Sequence, residues 1–368
     1  MVLFVAGIVF SYLLLLFFSI VAWQQMPFTS AEKYKGKVSV IIPFRNEEAN
    51  LKRLVEALKV QTYPWFEVLF VNDHSTDDSL NVLRRLVEKD IPFSFSIISL
   101  EGTQGKKAAI AAGTAQATGE IIVTTDADCW FDRNWLLAMT SGFNNSQTQM
   151  VTGPVVLEGG GFFQKLQRIE FGAVLASSAA LIGLGKPTMA NGANLAYRKS
   201  VFNEVEGFSG IEQTPSGDDE LLMMKIAKKY PKGVVFAKDT EAVVHTLAHT
   251  KWSDFLQQRK RWASKWKVGM RWSTIISALF VYLVQMASLG LVFLFLFGEM
   301  SLIAVVALWS IKMILELLLI RNYFRDLKQA YSLSHFLLLQ TFYPFYVLYV
   351  GLASNFGRFQ WKERSFKI

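Results

Sequence analysis

The sequence predicts an α/β domain with a mostly parallel sheet, set among helices that cross a membrane. Three observations carry this expectation. Residues 37–157 alternate short apolar runs with runs of helical spacing. Acidic residues directly follow several of those apolar runs. Long apolar stretches lie at the start of the chain and again beyond residue 272.

The first element is residues 1–23, which contain no charged side chain. About 20 apolar residues suffice to span a bilayer. A basic leading region and a small-residue cleavage site, the marks of a removed signal peptide, are both missing, so the segment is expected to be an anchor. Lys33, Lys35 and Lys37 follow it, and the positive-inside bias then puts the next domain in the cytoplasm.

The alternating region begins with an apolar strand at Val38–Pro43. Leu51, Leu54, Val55 and Leu58 recur at helical spacing. Phe66–Val71 predicts a second strand, Asp78–Leu86 a helix and Ile97–Leu100 a third strand. Ala108–Ala117 predicts another helix and Glu120–Thr125 a fourth strand. This βαβαβ order implies a mostly parallel sheet with helices on its faces. Such sheets bind ligands at the carboxyl ends of their strands.

Further along, residues 158–190 open on Gly159-Gly160-Gly161 and turn apolar, while residues 251–272 are basic and rich in tryptophan. Aromatic rings at headgroup depth with cations outward make the second an amphipathic interfacial segment, and the first is read either so or as an ordinary helix. Apolar runs at 273–297, 301–320 and 332–353 are each long enough to span a bilayer. Lys312 and Glu316 share a helix face within the second run, placed to pair inside the bundle or to line a polar path. Counting spans leaves the tail, residues 356–368 with Arg358, Lys362, Arg364 and Lys367, outside, against the charge bias. A reversal at Pro344 that makes 332–353 re-entrant or interfacial removes the conflict. The layout expected is an anchor at 1–23, a catalytic domain at 36–250, the interfacial segment at 251–272, transmembrane or re-entrant helices at 273–355 and a basic cytoplasmic tail.

The composition agrees. Of 368 residues, 52% are hydrophobic and 18% charged, too apolar for an ordinary soluble domain. The net charge of +8 fits the positive-inside bias, and no nucleic-acid motif accompanies it. A single cysteine, Cys129, excludes an intrachain disulfide and gives no sign of a thiolate zinc site.

The chemistry-bearing residues sit where strands end. Pro43-Phe44-Arg45-Asn46-Glu47-Glu48 follows the first, Asn72-Asp73-His74-Ser75-Thr76-Asp77 the second and Asp126-Ala127-Asp128 the fourth. One such carboxylate serves as a helix cap, and Thr76 or Asp77 is expected to. Several on one edge repel unless a cation lies between them. Asp126 and Asp128 suit magnesium or manganese, which take one or two carboxylates plus substrate phosphates. Asp218-Asp219-Glu220 precedes an apolar run, as a helix N-terminus would, and also offers a general base. Lys106-Lys107 reads as a solvated pair or as a phosphate contact.

Together these motifs resemble the membrane-bound branch of the family 2 glycosyltransferases, of GT-A fold, which includes cellulose, hyaluronan and poly-N-acetylglucosamine synthases and ceramide glucosyltransferase. The resemblance covers about residues 36–272 and rests on Asp73, Asp126-Ala127-Asp128, Asp218-Asp219 and Gln258-Arg259-Lys260-Arg261-Trp262, in that order. Asn72 stands where many relatives have a second aspartate, and Asp218 where glutamate is commoner.

The resemblance implies an inverting hexosyltransferase at a bacterial inner membrane, with its catalytic domain cytoplasmic. Its donor is a UDP- or GDP-sugar and its acceptor a lipid or a glycan. Asp219 would be the base. Pro43, Glu47, Asp73 and Lys107 would line the donor site, and Asp126 and Asp128 would hold Mg2+ or Mn2+ against the diphosphate. Gln258, Arg261 and Trp262 would close over it, and Asn194 and Asp218 would face the acceptor. A processive synthase and an inactive nucleotide-sugar-binding scaffold are the alternatives.

Overall fold

The computed structural model describes residues 2–28, 32–88, 90–212, 217–263, 272–353, 358–361 and 364–367. The chain runs α1 (Val2–Gln25), β1 (Val38–Phe44), α2 (Leu51–Lys59), β2 (Phe66–Asn72), α3 (Ser79–Val87), β3 (Ser94–Ser99), α4 (Lys106–Gln116) and β4 (Ile121–Thr124). It continues through β5 (Trp130–Phe131), α5 (Trp135–Ser141), β6 (Met150–Thr152), β7 (Val155–Glu158), α6 (Phe162–Gly183), β8 (Leu195–Arg198) and α7 (Lys199–Glu204). Next come α8 (Glu220–Lys229), β9 (Val234–Phe236), β10 (Val244–Leu247), α9 (Trp252–Ala263), α10 (Trp272–Leu296), α11 (Leu302–Asp326) and α12 (Leu333–Ala353). A hairpin of β11 (Arg358–Trp361) and β12 (Arg364–Lys367) follows. Two compact units result, one of Pro27–Glu158 with Gly185–Ala248, the other of Met1–Met26, Gly159–Leu184 and His249–Ile368.

The first unit is built on a seven-stranded sheet of order β3-β2-β1-β4-β8-β6-β9. β8 alone runs against its neighbours; the other strands point the same way. β1 lies between β2 and β4, and Val38, Val40, Ile41, Ile42 and Phe44 are all buried. A strand covered on both faces reads as a continuous apolar run, which is why it is visible in sequence. β3 is the edge strand and begins at Ser94, before the expected Ile97, because its Ser-Phe-Ser start is exposed and carries no apolar signal. Leu51, Leu54, Val55 and Leu58 of α2 form the expected buried stripe. A smaller sheet of order β5-β10-β7 completes the unit.

Strand register brings the acidic ends together. Phe44 pairs with Asn72 and Ile41 with Thr124, so the segments starting at Arg45, Asp73 and Thr125 leave the same edge. β8 runs the opposite way, pairing Leu195 with Thr124, so residues 192–194 enter at that same edge.

In the second unit, α1, α10 and α11 pack together, with Val5, Val9, Ala287, Leu291, Leu294 and Val305 as one apolar cluster. Four helices, Val2–Gln25, Ile275–Leu296, Leu302–Asp326 and Leu333–Ala353, are long and apolar enough to cross a membrane. α6, the helix foreseen within 158–190, packs against α1, α11 and α12. The Phe324 ring lies where a Cβ at Gly172 would stand, so that helix approach depends on glycine.

Two expectations need correction here. The chain does not reverse at Pro344, which lies buried within the single helix α12. Proline removes one helical hydrogen bond, and a segment packed on protein tolerates the loss. The N-cap position of α3 falls on Asp78, one residue later than expected, but its side chain makes no cap hydrogen bond, and the carboxylate that accepts from Ser79 N, at 3.1 Å, is Asp77. Of the expected interfacial segment, α9 is described, whereas residues 264–271, with Trp266, lie outside the described residues, as do Lys362 and the flanking positions 354–357 of the tail.

Candidate functional site

The edge of the large sheet is held rigid by hydrogen bonds between its loops. Arg45 Nη1 donates to the Asp73 and His74 carbonyls at 3.0 and 2.6 Å. Thr76 N donates to Asn46 Oδ1 at 2.8 Å and Glu47 N to Ser79 Oγ at 2.7 Å. Asp73 is buried, and its Oδ1 accepts from the backbone N–H of Gly105 at 3.0 Å. Gly105 has φ of 100°, a left-handed conformation that favours glycine, and it starts α4. Asp73 thus fixes where α4, and with it the lysine pair, begins. Glu47 is buried too, its Oε2 accepting from Asn50 Nδ2 at 2.7 Å.

α4 separates the two lysines. Lys106 Nζ lies 2.7 Å from Asp126 Oδ1 and 3.2 Å from Asp218 Oδ2. Lys107 is buried on another side of the helix, its Nζ donating to the Ile211 carbonyl at 2.6 Å. Successive helical residues face different directions, and the lysine that reaches the acidic cluster is Lys106. Burial disfavours the Lys106 ammonium, but Asp126, then Asp218 and Asp219, outweigh it and hold the group well above the ordinary lysine range.

Asp218 is buried, and its Oδ2 makes no hydrogen bond; the ammonium at 3.2 Å is an ion pair without hydrogen-bond alignment. Asp219 caps α8, with Oδ1 accepting from Glu220 N at 2.7 Å and Oδ2 from Gly192 N at 2.9 Å. A Cβ at Gly192 would lie 2.8 Å from Asp218 Oδ2 and 2.9 Å from Lys106 Nζ, so only glycine lets the strand edge approach this closely. Asn194, two residues on, is fully buried. Its amide donates to the Pro154 and Ala242 carbonyls at 2.8 and 2.7 Å and accepts from Trp135 Nε1 at 3.0 Å. Its bonds to protein shape the loop it belongs to.

Asp128 faces a different set of groups. Thr246 Oγ1 is 3.3 Å from its Oδ2, and Arg53 Nη2 donates to its carbonyl at 3.0 Å. The Arg53 guanidinium lies 3.7 Å over the Trp130 ring, which stacks on His245. Pro43 is half-buried in β1. Cys129 is buried, and burial, with Asp128 and Asp126 nearby, pushes its thiol well above the usual range, as expected of an inert cysteine. Arg53 and Thr246 carry no motif in sequence; only folding brings them to the aspartates.

The chemistry of the donor set decides whether a divalent cation fits. Among the described residues, no three His, Cys, Asp or Glu side chains are grouped to hold a metal. Two carboxylates of a D-x-D, with an acidic neighbour whose oxygen accepts no hydrogen bond, match a hard cation that draws its other ligands from phosphate and water. A cation bound through a diphosphate fits these residues; an all-protein cage does not.

In the other unit, α9 carries Gln258, Arg261 and Trp262. Gln258 Oε1 accepts from Arg259 Nη1 at 2.7 Å. Arg259, buried, pairs with Glu170 at 2.5 Å and donates to Tyr346 Oη at 3.2 Å. Its guanidinium lies between the Phe255 and Trp262 rings, 4.5 and 4.4 Å from their centroids.

Comparison with known proteins agrees with this geometry. Residues 39–206 match the glycosyl transferase family 2 model. An undecaprenyl-phosphate 4-deoxy-4-formamido-L-arabinose transferase of Pseudomonas syringae is 41% identical over 95 residues, 25% of this chain and 28% of that protein. A putative glycosyltransferase of Bacillus subtilis, CsbB, is 32% identical over 120 residues, 32% of this chain and 36% of that protein. The matches therefore span about a third of these relatives or less. A mannosyltransferase of Pyrobaculum calidifontis, solved with GDP-Man and Mn2+, superposes with a TM-score of 0.63 at 18% identity, covering 96% of this chain and 98% of that one. That likeness shows the fold alone, a GT-A domain flanked by apolar helices. The sheet whose edge gathers Asp73, Asp126 and Asp218 is the core of a family 2 glycosyl transferase domain of GT-A fold, in a chain with four helices apolar and long enough to cross a membrane.

Proposed function

We propose that this chain is an inverting glycosyltransferase that moves a sugar from a nucleotide-sugar to a lipid acceptor at the bacterial inner membrane, with its catalytic domain in the cytoplasm. The observation that carries the reading is the gathering of Asp126, Asp218, Asp219 and Lys106 at the carboxyl edge of a family 2 glycosyl transferase domain. The apolar helices and the relative that uses undecaprenyl phosphate support a lipid acceptor over a soluble one.

Pro43, Glu47, Asp73 and the α4 lysines serve the donor. Asp126 and Asp128 would hold Mg2+ or Mn2+, which neutralises charge developing on a departing nucleoside diphosphate. Gln258, Arg261 and Trp262 are assigned to the diphosphate and acceptor path on the strength of their motif. Asp218 faces the acceptor side, and Asn194, buried behind it, shapes the loop that forms it. Asp219 takes the proton of an acceptor hydroxyl as its oxygen attacks the anomeric carbon. A single displacement inverts that carbon, and UDP or GDP leaves.

A second reading is favoured by the same undecaprenyl-phosphate relative. If the acceptor is a lipid phosphate, its oxygen carries no proton to remove, and Asp219 acts only as cap and loop anchor. The test is mass spectrometry of products formed by the purified protein from UDP- and GDP-sugars. Polyprenyl phosphate and lipids bearing a free hydroxyl are offered as acceptors. A single-sugar lipid supports the proposal; a growing polymer supports a processive synthase; neither product with any donor overturns transferase activity.

A further inference from the structure

The site contains its own cation. We propose that Lys106 is a resident counter-ion for Asp126, and that a divalent cation has to displace it, so that cation and nucleoside diphosphate bind cooperatively. This rests on the proposed function only for the assignment of Asp126 and Asp128 to the metal.

The Lys106 ammonium is 2.7 Å from Asp126 Oδ1, where a second cation on the same oxygen would be strongly repelled. It is fixed there by more than one partner. Asp218, with its side chain 9% exposed, has no hydrogen bond at Oδ2 and relies on the same ammonium at 3.2 Å. A buried carboxylate without a partner is costly, so the ammonium cannot simply leave for water. Gly192 adds shape: a Cβ there would lie 2.9 Å from Nζ, so the cavity is fitted around the lysine tip.

A lysine, however, is a compact charge on a flexible stem, able to turn from one anion to another. A nucleoside diphosphate supplies what the protein alone does not. It gives the ammonium a new anionic partner, releasing Asp126, and adds phosphate oxygens to a cation for which no three acidic, histidine or cysteine side chains group among the described residues. Cation and diphosphate therefore each favour the other, while the donor-free protein keeps its carboxylates neutralised.

The experiment is Mn2+ titration of the full-length protein in detergent, followed by the electron paramagnetic resonance of free Mn2+, with and without UDP or GDP. Wild type is expected to bind Mn2+ weakly alone and about tenfold or more tightly with a nucleotide. Lys106→Met, which keeps the stem and removes the charge, is expected to bind Mn2+ about tenfold or more tightly than wild type without nucleotide, and to lose most of the nucleotide effect. Nucleotide-coupled binding in wild type with no gain in folded Lys106→Met overturns the inference and spares the metal reading. Wild-type affinity that is the same with and without nucleotide overturns the inference even if the variant does not fold. No Mn2+ binding under any condition overturns both.

Discussion

Asp219 has two uses for one carboxylate, and they can be separated. Its Oδ1 accepts from Glu220 N and its Oδ2 from Gly192 N; an asparagine oxygen keeps the cap at the helix start and gives up the bond to Gly192. Asp219→Asn should therefore fold and bind donor, and lose roughly 10²–10⁴-fold in transfer to a hydroxyl, the usual contribution of a general base. A rate above a tenth of wild type would remove Asp219 from that role and favour a phosphate acceptor. Asp128→Ala should weaken donor binding and abolish the response to Mg2+ or Mn2+; full activity in excess chelator would sink the metal assignment. At this scale the sequence is informative about type and blind to direction. Glu47, Asp73, Asp126 and Asp128 were legible because each lies just after an apolar strand, and Asp218-Asp219 because they open an apolar helical run. Lys106 and Lys107 were not distinguishable, because adjacent positions have the same chemistry and only helix phase decides which one meets Asp126. Asn194 and Asp218 came as family motif positions, with no hint that one is bonded to protein throughout and the other lacks a hydrogen bond at Oδ2.

Among elements, β1, β2 and β4 were legible to within a residue or two, β3 was displaced because its polar start resembles a loop, and β5 to β10 were not read as strands, being only two to four residues long. α9 was legible as basic and aromatic, but not for what its residues hold. Trp262 packs on the Arg259 guanidinium and 5.6 Å from the Phe171 ring, whereas Trp252 is 52% exposed. Trp252→Ala should thus change membrane attachment with little effect on turnover, and Trp262→Ala should lower turnover. Equal effects of both on turnover and attachment would return Trp262 to an anchor. The arginine inside the motif is the stronger fixture. Removing one partner of a buried pair costs about 3–5 kcal/mol, so Arg259→Ala, which strands Glu170, should lower thermal stability well beyond Trp252→Ala. The other buried pair is Lys312 and Glu316, 2.9 Å apart, joined by Gln340 at 3.2 Å and by the Tyr12 hydroxyl at 2.7 Å. With each charge partnered inside the bundle, Lys312→Leu with Glu316→Met should leave transfer unchanged; lost transfer at normal expression would make this network a polar path.

For the whole chain, the number of spans and the charge of the tail pull in opposite directions, and the contacts of α12 and of the hairpin after it bear on the conflict. Contacts along the bundle mark a common level: Tyr12 bonds to Glu316, and its ring lies 6.4 Å from that of Phe280. α12 is held at two points nearby. Gln340 bonds to Lys312, the partner of Glu316, and a Cβ at Gly351 would stand 3.2 Å from the ring of Tyr282, two residues from Phe280. Those two α12 positions are eleven residues apart, about 16 Å along a helix. α6, α9 and α10 are the neighbours of α12 along its length. β11 then packs against α9, the helix that follows the sheet domain directly in sequence. The hairpin that carries Arg358, Arg364 and Lys367 therefore lies beside α9, and the charge bias predicts that this side is the cytoplasmic one. In a Cys129→Ser background, a cysteine replacing Ser365 should be protected from an impermeant thiol reagent in intact cells and react once the membrane is permeabilised. Reaction from outside intact cells would mean that α12 crosses completely and that the tail lies apart from α9.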